Sequence, residues 1–189
     1  MWDGWGNELM AKFSLCRYGP PEIATLSALK AGAGRSLMLA PDHILSRLSA
    51  EAAAEGSPHR TRHIALGSGA AETLPTWLND AHPGVVDILV ADATTWAVAG
   101  EMLFEQLKSQ GRAPRKLILE AEGDANYITC EDGVIAALET FLRTSTKLNP
   151  IAIGAGSIND IVKSASFKLG RAYQVVPTAA SMNGYTSSI

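Results

Sequence analysis

The chain has 189 residues, a formal net charge of -3, and 47% hydrophobic against 19% charged residues. That length suits one sizeable α/β domain, and the balance excludes a disordered chain. No basic excess is available to track a phosphate backbone, which excludes nucleic acid as the main partner; a small cofactor phosphate needs only backbone N–H groups and stays allowed.

Residues 1–60 read as an N-terminal extension, partly helical. Gly4, Gly6, Gly19, Pro20 and Pro21 punctuate its start. Helices are expected at Glu22–Lys30 and Pro41–Glu55, parted by Gly32-Ala33-Gly34, with a linker at Glu55-Gly56-Ser57-Pro58. Met1–Trp5 lacks a basic segment followed by an apolar run, so no signal peptide is expected. Nothing approaches the ~20 apolar residues of a membrane span. Cys16 and Cys130 are far apart, without metal-type spacing, and read as reduced thiols of a cytoplasmic protein.

From residue 61 the pattern is regular. His63–Leu66 is a first strand, ended by Gly67-Ser68-Gly69 and followed by a helix to about Asn79. Val85–Ala91 is a second strand, ended by Asp92, and Thr95–Ser109 a helix stopped by Gly111. Lys116–Glu120 is a third strand and Asp132–Thr144 a helix with acids at its positive end. Pro150–Ile153 is a fourth strand closed by Gly154, Ile158–Leu169 a helix stopped by Gly170, and Tyr173–Val176 a fifth strand stopped by Pro177. Apolar strands alternating with helices predict an α/β, Rossmann-like parallel sheet with helices on both faces. Right-handed crossovers put Asp92, Gly154 and Pro177 along one sheet edge, where ligands bind in such folds.

Three features on that edge carry chemistry. Gly154-Ala155-Gly156-Ser157 joins a strand to a helix, so free first-turn N–H groups could cradle a pyrophosphate. The plain alternative is a tight βα turn, and the third glycine of the dinucleotide fingerprint is replaced by Asn159. Ile158, Ile161, Val162, Ala165 and Leu169 form the helix's apolar stripe, with Asn159, Asp160 and Lys163 off it. Asp92 could accept two hydrogen bonds from a ribose, or simply cap the next helix. It precedes Gly154, the reverse of the usual Rossmann order. The small and hydroxylated residues from Pro177 to Ser188 suit a loop against a flat ring, or a solvated loop. Gly67-Ser68-Gly69 reads as a structural turn, and the His59/His63 spacing alone closes no metal site. The chain has no GxSxG elbow, no P-loop and no Tyr followed four residues later by Lys.

The segment IAIGAGSINDIVKSASFKLGRAYQVVPTAASMNGYTSS at Ile151–Ser188 resembles the sn-glycerol-1-phosphate dehydrogenase family, in its bacterial form. That family lies within the iron-containing alcohol dehydrogenase and dehydroquinate synthase-like superfamily. IALGSGAAETLPTWL at Ile64–Leu78 and ILVADATTWAVAGEMLFEQLKSQG at Ile88–Gly111 agree with it in the right order. The resemblance implies that residues 61–189 are a dinucleotide-binding domain for NAD(H) or NADP(H). It implies reversible reduction of dihydroxyacetone phosphate, a small phosphorylated substrate, to sn-glycerol 1-phosphate. Carried over, Asp92 holds the adenosine ribose, and Gly156, Ser157, Ile158, Asn159 and Asp160 the pyrophosphate region. Thr178, Ala179, Ala180 and Ser181 line the nicotinamide side, and Ser187 adds a cofactor contact. Lys163 and Asn183 stand toward the substrate. Asn183 replaces the family's usual Asp; the amide loses the charge but still donates and accepts hydrogen bonds.

The family's helical second domain, with an Asp and two His that hold zinc or nickel, has no counterpart in the matched region. His43, His59, His63 and His82 precede the cofactor loop and match no ligand position. The chain thus reads as the cofactor half of the enzyme, inactive alone, with no catalytic or metal residue assigned. Family members are often dimers, which makes a homodimer one open outcome. A different dehydrogenase of the superfamily, or a non-catalytic NAD-binding module, are the alternative readings.

Overall fold

A computed structural model describes residues 63, 65, 70–121 and 127–179. The helices expected before residue 60, and the strand expected at His63–Leu66 apart from His63 and Ala65, lie outside the described residues. A 3₁₀ turn at Ala70–Thr73 leads into helix α1, Leu74–Ala81, with Pro75 in its first turn. Strand β1 is Val86–Ala91. The rod that follows, α2, has three parts: Ala93–Thr95, a π-helical turn at Trp96–Gly100, and Glu101–Ser109. A single α-helix was expected there; apolar periodicity does not register a turn widened by one residue. Strand β2 is Arg115–Ile118, helix α3 Asp132–Arg143, strand β3 Leu148–Ile153, helix α4 Ser157–Lys168 and strand β4 Gln174–Val176.

The four strands are parallel, in the order β2-β1-β3-β4. Alternation along each strand divides the core. Ile88, Val90, Ala152 and Val175 face one layer, where Leu138 and Leu142 of α3 meet Ile161, Val162 and Ala165 of α4. Leu89, Ala91, Ile151, Ile153 and Val176 face the other, with Leu74 and Leu78 of α1 and Leu103 and Leu107 of α2. Complete burial of such side chains contributes about 1.5–3 kcal/mol each. Both faces are therefore covered, as the run of apolar strands predicts.

A polar knot closes the amino-terminal edge. Asp87, fully buried in β1, accepts from Asn149 Nδ2 at 2.8 Å and from Arg112 Nη2 at 3.0 Å, and also pairs with Arg112 Nε. Arg112 continues to Asn79 Oδ1 and to the His82 carbonyl. One carboxylate thus ties α1, β1, β3 and the turn before β2.

The layers fix where a ligand can enter. α2 leaves β1 toward one face, while α4 leaves β3 toward the other. β1 and β3 are neighbours, so their carboxyl ends flank a topological switch point, the place where open α/β sheets leave a crevice.

Candidate functional site

Asp92 and Gly154 are one residue past the last members of their strands. The β1–β3 register ends at Val90↔Ala152, and Gly154 N donates to the Val176 carbonyl at 3.0 Å. Asp92, Gly154 and Pro177 therefore share one edge, as the chain order predicts.

Asp92 caps α2. Its Oδ1 accepts from Thr95 N at 2.7 Å, and Thr95 Oγ1 accepts from Asp92 N at 3.1 Å. The pattern Asp-Ala-Thr-Thr already contains this reciprocal cap. Oδ2 has no hydrogen-bond partner among the described residues. One carboxylate can hold the helix start and still offer an acceptor to the crevice.

The glycine loop has the backbone a close approach requires. Gly156 sits at φ 53 and ψ -119, in the left-handed half of the map, and a Cβ there would meet nothing within 4 Å. The space over it is open. It is the N-cap of α4 and carries no capping side chain, and the first intrahelical bond runs from Asp160 N to the Gly156 carbonyl at 2.9 Å. The N–H groups of Ser157, Ile158 and Asn159 thus lack intrahelical partners at the helix's positive end. Only their backbones serve there in two cases. Ile158 is buried against Gly154, and Asn159 is fully buried and accepts from Tyr173 Oη at 3.3 Å. Asn159 and Lys163 lie off the apolar stripe of α4 yet are buried, and Tyr173 Oη meets Asn159 on that flank. Asn159 Nδ2 donates to Asp160 Oδ1 at 3.2 Å, and Lys163 Nζ stands 3.3 Å from the same oxygen.

Thr178 and Ala179 follow β4, half-buried and exposed respectively. Ala180, Ser181, Asn183 and Ser187 lie outside the described residues, as do His43, His59 and Gly67-Ser68-Gly69. His63 stacks on Trp77 at 5.0 Å, and burial lowers its pKa. Among the described residues no group of three His, Cys, Asp or Glu is placed to hold a metal ion. The described residues therefore fit a dinucleotide and do not fit the metal that the resemblance implies. No helix among them is long and apolar enough to cross a membrane.

A cavity at this edge, and the place of Cys130 beside it, escaped the sequence reading. A cavity of about 250 Å³ opens past β2, between Glu120 and the start of α3, lined by Tyr127, Ile128, Thr129, Glu131 and Val134. The third strand ends at Ile118 rather than Glu120, which frees Glu120 to line it. Cys130 is exposed beside the start of α3. Partial burial pushes its thiol up, Asp160 and Asp132 add to this, and Lys163 opposes it.

The model of the iron-containing alcohol dehydrogenase family matches residues 65–189. The chain belongs to that family. It is 35% identical over 130 residues to a glycerol-1-phosphate dehydrogenase (NAD(P)+) of Halalkalibacterium halodurans, covering 66% of this chain and 30% of that protein. It is 30% identical over 151 residues to the protein of that name from Bacillus velezensis, covering 78% of this chain and 36% of the relative. Against the Bacillus subtilis protein it is 30% identical over 131 residues, covering 69% and 32%. The chain thus spans about a third of the length of these relatives.

Proposed function

We infer that this chain is the cofactor-binding half of an NAD(P)-dependent dehydrogenase that interconverts dihydroxyacetone phosphate and sn-glycerol 1-phosphate. One observation carries the cofactor part. At the switch point between β1 and β3, unpartnered helix N–H groups over an open glycine lie beside a strand-end carboxylate with a spare acceptor oxygen. The substrate part rests on the names of the relatives, each said to act as a glycerol-1-phosphate dehydrogenase.

The strand ends support one binding mode. β2, β1, β3 and β4 follow one another at ~5 Å intervals. An extended dinucleotide laid across them would put adenine past β2 and its ribose on Asp92. The pyrophosphate would then meet the N–H groups of Ser157, Ile158 and Asn159, and the nicotinamide the segment after β4. When bound, NAD(P)H supplies a hydride to the substrate carbonyl carbon. This chain's own part is to orient that ring. Thr178 and Ala179 would begin its wall, while Ala180, Ser181 and Ser187 as cofactor contacts and Asn183 as a substrate contact rest on the resemblance. Lys163, held by Asp160, contributes positive charge on the pyrophosphate and substrate side of α4. The described residues offer no metal-holding group, so the chemistry derived from them is confined to the cofactor.

Calorimetric titration of the chain with NADH should give one site, and absence of binding overturns the cofactor reading. The reading frame extended to the relatives' length, loaded with nickel or zinc, should reduce dihydroxyacetone phosphate to the sn-1 product. NADH oxidation with other ketones but not this one would overturn the substrate assignment alone. Nucleotide binding without turnover of any carbonyl would favour the non-catalytic module.

A further inference from the structure

We propose that Glu120 and Glu131 make the adenosine end of this site selective for an unphosphorylated ribose, so that the chain takes NAD(H) and rejects NADP(H). The proposal rests on the cofactor reading above and adds which of the two nucleotides fits. Leu119 N donates to the Ala91 carbonyl at 2.8 Å, which extends the β1–β2 pairing one residue past the strands. With Ala91 paired to Ile118, Leu119 stands opposite Asp92, one strand spacing of ~5 Å across the edge, and Glu120 follows one residue beyond. The cavity opens at that point.

Its lining suits one end of a dinucleotide. About 250 Å³ is below the ~300–1,000 Å³ usual for a whole ligand, and fits a single ring system. Ile128 and Val134 supply an apolar floor and the exposed Tyr127 an aromatic face, surfaces on which a purine ring can stack. The polar rim is Glu120, Glu131 and Thr129, and Thr129 Oγ1 is hydrogen-bonded to Glu131. Among the described residues no lysine or arginine lines the cavity.

A ribose 2′-phosphate brings close to two negative charges and is ordinarily met by Arg or Lys. Here it would meet Asp92, Glu120 and Glu131. The cations of β2 are engaged elsewhere. Arg115 lies over the Phe141 ring at 5.7 Å, and Lys116 Nζ over the Trp96 ring at 4.3 Å. A free 2′-hydroxyl, by contrast, can donate to a carboxylate.

The test titrates NADH and NADPH into the full chain at low ionic strength and reads the ratio of the two affinities. The expected wild-type ratio favours NADH by tenfold or more. Glu120→Gln with Glu131→Gln should shrink it several-fold, Glu120→Lys further still, and added salt should shrink the wild-type ratio too. Near-equal wild-type affinities, or a ratio that neither substitution moves, overturn the selectivity while leaving the cofactor reading standing. Binding of neither nucleotide overturns both.

Discussion

Asp87 stands near the amino end of β1 and Asp92 just past its carboxyl end, and the two carboxylates are treated in opposite ways. Asp87 is fully buried and saturated by Arg112 and Asn149. Asp92 is half-buried, spends one oxygen on a helix cap and leaves the other without a hydrogen-bond partner among the described residues. The amino edge of the sheet cancels its charges internally. The carboxyl edge leaves helix N–H groups and a carboxylate oxygen uncancelled. Elements tie together at the first edge, and a ligand can be received at the second. Residue type alone does not separate the two roles; the count of satisfied atoms does.

The largest test of this contrast is Asp87→Ala. It removes the charge partner of the Arg112 guanidinium, which keeps only neutral acceptors, and the acceptor of the buried Asn149 amide. Loss of one partner of such a buried pair costs about 3–5 kcal/mol. Urea unfolding should register that loss. Asp87→Asn should cost less, since the amide still accepts one bond. A cost within 0.5 kcal/mol, the scale on the order of a surface substitution, would show that the knot does not hold the edge.

Asp92 separates cap from ligand contact because Asn caps a helix about as well as Asp does. Asp92→Asn should leave the unfolding midpoint near wild type and weaken NADH by about 1–3 kcal/mol, the worth of hydrogen bonds to a charged acceptor. Asp92→Ala should lose the cap as well, lowering stability by ~1 kcal/mol. If Asp92→Asn binds NADH as wild type does, the carboxylate is a cap only.

The apolar runs around Ile88–Ala91 and Ile151–Ile153 made the parallel sheet and its ligand edge legible, because a doubly covered strand must be apolar on both faces. Asp92, Gly154 and Gly156 were legible too, as departures from that pattern at strand ends. Partners distant in sequence were not. Asp87 in the run Val-Val-Asp-Ile-Leu-Val-Ala signals a buried charge, but only the β1–β3 register names Asn149 as its neighbour. The cavity beyond β2 depends on how Glu120 and Tyr127–Glu131 come together, and that stretch has no periodicity to read. Asn159 falls off the helical stripe by angle, and its burial and its bond from Tyr173, fourteen residues on, are not signalled by periodicity.

Cys130 reports on the carboxyl edge without a ligand contact of its own. Burial, Asp160 and Asp132 disfavour its thiolate, and Lys163 favours it. Asp160→Asn removes a negative neighbour and releases Lys163 from its ion pair, so both changes lower the thiol pKa. At a fixed pH below that pKa, alkylation by iodoacetamide should quicken several-fold, and the midpoint of its pH profile should move down. Lys163→Met should move the midpoint up. These rates are read in a Cys16→Ser background, so that one thiol is followed. Saturating NADH should slow the reaction further, since a pyrophosphate on α4 adds negative charge beside Asp160. An Asp160→Asn rate equal to wild type would mean that solvent screens the pair from the thiol, and that the edge is less charged toward its ligand than the contrast with Asp87 implies.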